Sequence, residues 1–273
     1  MSAGGEDGHR PISETARQTL TVAIPTKDVA DLLADCLSSV AWADEIIVVD
    51  MFSSDDTEEV CARYPQCRFF QRSDYIFGNL NFAFEHATSD WVMRLDSDER
   101  ITPELAEEIR AILANPPQGV AGYEFWERAF VLGRELRFGF GRKHYRKILF
   151  RRGAARYPVR HEHEDLDGDG VWLRGRNGYV HLNYNAVREY LTKANYYTEL
   201  DVARAALPTT APSQRAAFVS SARAFYLYYL KYQGFRDGWV GLLDASMRSV
   251  YQFVYWAKLR ERWEREQEVN DAG

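Results

Sequence analysis

The sequence predicts an α/β protein built on an open, mostly parallel sheet, followed by a largely helical C-terminal region. Three observations carry this expectation. Over residues 19–118 short apolar, β-branched runs alternate with segments of helical spacing. The runs are almost continuously apolar, as strands covered on both faces are. Polar clusters recur where the runs end, and ligands of such sheets bind outside the carboxyl ends of the strands.

Residues 20–25, Leu-Thr-Val-Ala-Ile-Pro, read as a buried strand closed by proline. Val29, Leu32, Leu33, Cys36, Leu37 and Val40 then recur at offsets of three and four, one face of a helix. Residues 45–50 are a second strand, 53–57 a turn rich in capping side chains, and 58–64 a helix. Residues 67–71 form a third strand, 79–87 a helix and 91–95 a fourth strand. Thr102 caps the next helix, with Pro103 in its first turn and Glu104 near the positive end of its dipole. From Val120 the pattern changes: 121–132 and 146–151 read as longer strands added antiparallel or mixed. A polar stretch, 160–170, separates them from a strand pair within 171–182. Helical patterns follow over 186–207, 213–233 and 239–268. The division expected is a disordered leader (1–18), an α/β half (19–118), further strands (119–184) and a helical region (185–273).

Composition narrows the function. The 273 residues are 46% apolar, enough for a full core, and the net charge of −6 argues against nucleic-acid binding. Cys36, Cys61 and Cys67 fit neither a disulfide framework nor a zinc pattern and read as reduced thiols. No apolar run approaches the ~18–20 residues of a membrane span, and the N-terminus lacks a signal core, so a cytoplasmic protein is expected.

The most informative stretch is 91–100, Trp-Val-Met-Arg-Leu-Asp-Ser-Asp-Glu-Arg. An apolar strand ends in Asp96 and Asp98, one serine apart, and a turn there lets both carboxylates converge. Hard divalent cations favour one or two carboxylates plus the oxygens of a bound phosphate. A solvated turn is the competing account of so short a motif. Residues 25–28 and 50–56 fall at the same sheet edge, and three polar clusters together favour a site.

In combination these segments resemble the family 2 glycosyltransferases, which use a GT-A-type nucleotide-binding α/β domain. The resemblance rests on Thr21-Val-Ala-Ile-Pro-Thr-Lys-Asp28, Trp42-Ala-Asp-Glu-Ile-Ile-Val-Val-Asp50, Ser53-Ser-Asp-Asp-Thr57, Asn81-Phe-Ala83 and Asp90-Trp-Val-Met-Arg-Leu-Asp-Ser-Asp-Glu99. It is closest to the lipopolysaccharide core β-1,4-glucosyltransferase-like branch, through Lys147-Ile-Leu-Phe-Arg-Arg152, His161-Glu162, His181, Lys193 and Gly234-Phe-Arg-Asp-Gly238. The resemblance implies transfer of a sugar, with inversion, from a nucleoside diphosphate donor to a hydroxyl of a glycan, lipid-linked or small-molecule acceptor. It implies a divalent metal, Mg²⁺ or Mn²⁺, with a UDP-sugar the favoured donor.

Carried onto this sequence, it makes Asp98 a metal ligand and sets Asp96, with Ser97, near the ribose or metal-bound water. Asp50 is expected on the nucleobase, and Pro25, Thr26 and Lys27 against the nucleoside. His181 is a metal ligand or an acceptor contact, unless it is a structural histidine. Arg151 is a candidate to neutralise the diphosphate, since arginine forks match phosphate geometry, unless it is a plain surface arginine. Glu162 is the expected general base within His161-Glu-His-Glu-Asp165, with Glu164 and Asp165 as alternatives. The aromatic segments 225–232 and 251–256 read as core or dimer packing, with membrane-surface contact the alternative. The chain departs from the family pattern at Met51 and Phe52, where serine and glycine are usual, and at Leu80, where a cation is common. Those departures keep two other readings open, a degenerate binding or scaffold protein and a sugar-nucleotide nucleotidyltransferase.

Overall fold

A computed structural model describes residues 17–158 and 165–271. Four parallel strands form one half of the sheet: β1 (Leu20–Thr26), β2 (Glu45–Asp50), β3 (Cys67–Gln71) and β4 (Trp91–Arg94). The helices α1 (Ala30–Val40), α2 (Thr57–Ala62) and α3 (Ile76–His86) connect them, and α4 (Pro103–Ala114) follows the short β5 (Glu99–Arg100). The sheet continues through β6 (Val120–Val131), β7 (Arg134–Glu135), β8 (Tyr145–Arg151) and β9 (Val171–Tyr184). Its order is β3-β2-β1-β4-β8-β6-β9-β5, with β7 against β6. Helices α5 (Val187–Arg204), α6 (Gln214–Phe225) and α7 (Gly238–Asp271) complete the chain. This is the α/β architecture that the sequence predicts: an open sheet of mostly parallel strands, flanking helices and a helical C-terminal region.

Both faces of the parallel half are covered, which is why its strands are apolar throughout. Leu20, Val22, Ile24, Ile46 and Val48 pack against α1 and α4 on one face. Ala23, Ile47, Val49 and Val92 pack against α3 on the other. Thr102 caps α4 as expected, its hydroxyl accepting the Leu105 N–H at 3.2 Å. Gln18, at the end of the expected leader, is tied into the fold through its amide, which donates to the Leu113 carbonyl.

Two differences from expectation have local causes. The expected strand pair within 171–182 is one strand, β9, running parallel to β6 with three register shifts. Its glycines are close-approach positions, not breaks: a Cβ on Gly175 would meet the Phe125 ring and one on Gly178 the Trp126 ring. The helix expected over 213–233 changes to a π-helical segment at Tyr226–Lys231. Cys36, Cys61 and Cys67 are free thiols. Among the described residues no helix is long and apolar enough to cross a membrane.

Candidate functional site

β1 is followed by β2 and β3 on one side and bordered by the parallel β4 on the other, so the order in which strands are added reverses at β1. That switch point is where an open α/β sheet has a crevice at its carboxyl edge. Thr26 pairs with Asp50 at the ends of β1 and β2, and β4 ends beside them in the acidic turn.

The loops after β1 and β2 are stapled to each other. Lys27 Nζ donates to the carbonyls of Met51 (3.0 Å) and Phe52 (3.2 Å). Asp28 N–H donates to Ser53 Oγ at 2.7 Å, and the Asp28 carboxylate accepts the Ser54 N–H at 2.7 Å. Asp50, fully buried, accepts from Ser53 N (2.9 Å) and Ser53 Oγ (2.5 Å) and from Gln71 Nε2 (3.3 Å). Pro25 is buried within β1, opposite Val49. Thr26 Oγ1 is buried at the crevice without a hydrogen-bond partner among the described residues.

Phe52 holds φ = 58°, in the left-handed region that costs a non-glycine residue roughly 1–2 kcal/mol. The residue is 53% exposed, so packing offsets little of that cost. The backbone thus keeps the turn that glycine would make and adds an aromatic ring at the crevice mouth. Phe52→Gly is expected to stabilise the protein by about 0.5–1 kcal/mol, after allowing for glycine's greater chain entropy. The corresponding rise in thermal midpoint is roughly 1–4 °C, measured by calorimetry; a lowered midpoint would show that the turn is unstrained.

The acidic turn is built on a buried ion cluster. Glu99 N–H donates to the Asp96 carbonyl, and Asp96 N–H donates to Glu99 Oε2 at 2.8 Å. Arg94, on β4, is buried and donates to Asp96 Oδ2 (2.9 Å) and Glu99 Oε1 (3.1 Å). Burial pushes the Glu99 carboxyl up to about 7, against the pull of Arg94. Asp96 is therefore fixed from below by Arg94. Ser97 offers its carbonyl to Arg100 at 2.9 Å.

Asp98 points the other way, into a second cluster delivered by β9. Glu99 pairs with His181 across β5 and β9, and the Asp98 carbonyl accepts the Leu182 N–H at 2.9 Å. This brings His181 Nε2 to 3.6 Å from Asp98 Oδ1. His181 Nδ1 lies 2.8 Å from Glu127 Oε1 on β6. Lys193 Nζ, from α5, lies 3.4 Å from Asp98 Oδ2 and 3.3 Å from Glu189. Burial alone would raise the carboxyls of Asp98 and Glu127. The adjoining imidazole, and Lys193 at Asp98, hold Asp98 far below the usual carboxylate range and Glu127 down to about 2. Burial would lower His181, but its two carboxylate neighbours raise it well above its ordinary value.

A divalent cation entering here would displace the proton that Asp98 and Glu127 hold on His181. Asp98 would then offer an ionised oxygen and His181 Nε2 a ring nitrogen, with Glu127 holding the other ring nitrogen, an arrangement common around ligating histidines. Among the described residues no group of three or more His, Cys, Asp or Glu side chains forms a complete cage. A Mg²⁺-type ion bound by one or two protein ligands plus diphosphate oxygens needs none.

Arg151 lies elsewhere. Because β8 is antiparallel to β4, Arg151 pairs with Trp91, the first residue of β4, at the sheet end away from the acidic turn. Its guanidinium donates to the carbonyls of Val120 (3.0 Å) and Pro117 (3.1 Å) and stacks on the Trp91 ring. It anchors that end of the sheet and does not reach the crevice. Glu162, with His161, His163 and Glu164, lies outside the described residues. Leu80 is buried in the core against α3's face of the sheet, so an apolar side chain there serves packing. Glu127 and Arg94 escaped sequence reasoning, although each is a charge on a buried phase of an apolar strand, which is the signal that could have found them.

Comparison with known proteins bears on this geometry. The family model for glycosyl transferase family 2 matches residues 21–156. A lipopolysaccharide core biosynthesis glycosyltransferase, LpsC, of Rhizobium meliloti is 25% identical over 241 residues, covering 84% of this chain and 87% of that protein. An uncharacterized glycosyltransferase of Rickettsia felis is 24% identical over 258 residues, covering 89% of this chain and 90% of its own. Among solved structures, the mannosyltransferase PcManGT from Pyrobaculum calidifontis, in complex with GDP-Man and Mn²⁺, superposes with a TM-score of 0.49 at 16% identity, covering 90% of this chain and 75% of that one. TarS 1-349 of S. aureus, in complex with UDP-GlcNAc, gives 0.47 at 13% identity, covering 91% and 92%.

Proposed function

The chain belongs to glycosyl transferase family 2 through residues 21–156, and from that premise we propose a metal-dependent, inverting glycosyltransferase that takes its sugar from a nucleoside diphosphate, UDP favoured. The observation that carries this reading is the meeting of Asp98 and His181 at the carboxyl end of β4, beside the switch point of the sheet. A divalent ion held by Asp98 and His181 would neutralise charge developing on the leaving diphosphate. Glu127 orients the imidazole, and Lys193 adds a positive charge on the same side. Asp96, held by Arg94, and Ser97 face the ribose side. The exposed Phe52 side chain is available to the nucleoside, with Asp50 and Lys27 holding the turn that presents it.

Glu162 is the base in this reading, removing the proton of the acceptor hydroxyl as it attacks the anomeric carbon. Glu162→Gln is expected to lower kcat on the order of 10²-fold or more, with donor binding retained. The same loss from Asp165→Asn, with Glu162→Gln active, would move the role to Asp165. The acceptor proposed is a glycan or lipid-linked sugar hydroxyl, and the name of the Rhizobium meliloti relative favours lipopolysaccharide core. The overall reading is tested by incubating the protein with Mn²⁺ and a panel of UDP-, GDP- and dTDP-sugars, followed by mass spectrometry. Release of a nucleoside diphosphate from one donor is expected. Release of pyrophosphate from a sugar phosphate and a nucleoside triphosphate would indicate a nucleotidyltransferase instead.

A further inference from the structure

The helical region carries a surface that the transfer site does not use. Residues 213–236 contain Arg215, Arg223, Lys231 and Arg236 and no Asp or Glu, in a chain whose net charge is −6. The same segment exposes large apolar side chains. Along α6 and the π-helical turn, Phe218, Val219, Tyr226 and Leu230 are exposed, as is Ala222 between them. The spacings 218–222–226–230 and 219–223 place them on one side of the helix. The opposite side faces α7: Ser220 Oγ donates to Gln252 Oε1 at 2.8 Å, and Ser249 Oγ donates to the Ser221 carbonyl at 2.9 Å. The stripe therefore points directly away from the rest of the molecule. The turn that ends it, at Gly234–Asp237, exposes Phe235 and leads to Trp239, 67% exposed at the start of α7.

Most of the aromatic segment 225–232 does pack: Phe225 lies against Tyr229, and Tyr228 against Phe140 and Tyr232. The outward stripe is what remains after that packing is satisfied. Phe218 is 72% exposed and has Arg215 and Arg223 on the same side. Apolar and aromatic residues interleaved with cations match an anionic lipid surface, and the one carboxylate of the turn, Asp237, is turned back onto the Arg137 and Phe138 amides. The rings enter the headgroup boundary, while the arginine and lysine stems snorkel toward phosphates.

We infer that the outward face of α6 and the turn after it dock this enzyme on an anionic bilayer, with the helix lying in the plane of the interface. The charge of the segment favours this occupant over a second copy of the chain, since an isologous contact would set the unneutralised arginines of one stripe near those of the other. The docking is independent of donor chemistry and stands or falls separately from the transfer reaction.

The test is sedimentation of the full-length protein with vesicles of phosphatidylcholine alone or with phosphatidylglycerol added. Binding to the anionic vesicles only is expected, weakening as salt is raised. The double variant Arg215→Gln/Arg223→Gln is expected to reduce partitioning by about thirtyfold, and Phe218→Ser/Tyr226→Ser to remove most of it. Both should keep the thermal midpoint and the donor turnover of the parent. Equal binding to neutral and anionic vesicles, no binding to either, or unchanged partitioning of both variants would overturn the inference. So would a dimer in solution that the Phe218→Ser/Tyr226→Ser variant dissociates, because the face would then be a contact between copies.

Discussion

Asp98→Asn is expected to lower sugar transfer by about 10³-fold or more while leaving the fold intact. The substitution keeps the side-chain volume and removes the one ionised ligand positioned to share a cation with His181. A metal's stabilisation of leaving-group charge is worth several kcal/mol, and each 1.36 kcal/mol is about tenfold in rate. His181→Ala should give a loss of the same kind. Glu127→Gln should give a smaller one, about 10–100-fold in metal affinity, because the imidazole keeps its nitrogen but loses the carboxylate that orients it. Steady-state turnover at a series of Mn²⁺ concentrations checks all three, since excess metal should rescue Glu127→Gln but not Asp98→Asn. Equal rescue of both would place the metal away from Asp98.

Arg94→Met carries the largest expected effect on stability. Arg94 and Glu99 are both fully buried and bonded to each other, and Asp96 shares the guanidinium. Removing one partner of a buried ion pair leaves a desolvated charge, typically at a cost of about 3–5 kcal/mol. In a chain of this size that is a fall of roughly 6–20 °C in thermal midpoint. The loss should depend on pH in a defined direction. Glu99 is raised to about 7, above its unfolded value, so the folded state holds the extra proton between the two. Its burial therefore costs little below its unfolded value, and more as pH rises through 7 and the carboxylate forms. Without Arg94 the carboxyl rises further, so the charge-related part of the deficit should be absent near pH 5 and reach about 1 kcal/mol near pH 8, growing by about 1.4 kcal/mol for each further pH unit. Calorimetry at both values checks this. Adding Glu99→Gln to Arg94→Met should recover part of the loss at pH 8. No recovery would mean that the cost lies in packing and not in charge.

The parallel half of the fold was legible because its strands are buried on both faces and its helices repeat at three and four. That periodicity also located the acidic turn, and the order of motifs pointed to His181 some eighty residues later. Long-range register was not legible. Arg151 follows an apolar strand just as Asp98 does, but β8 runs antiparallel to β4 and carries it to the opposite end of the sheet. No local pattern records that reversal. The strand pair expected within 171–182 is the single strand β9, in which Gly175 and Gly178 make room for aromatic rings on β6. Glu127 stands in a strand of aromatic and apolar residues, and its role depends on the β6–β9 pairing that sets it beside His181. Phe52 was visible as a departure, and only the backbone shows that the turn persists with φ = 58° beneath it.

Asp98 and His181 are proposed to hold a metal–nucleoside diphosphate at the carboxyl edge of the sheet, and isothermal titration with UDP, GDP and dTDP, with and without Mn²⁺, puts that to the test. At least one nucleotide, UDP first, is expected to bind only when Mn²⁺ is present, and Asp98→Asn to abolish that binding. Binding of none of the three, or the same affinity with and without Mn²⁺, would contradict the proposal.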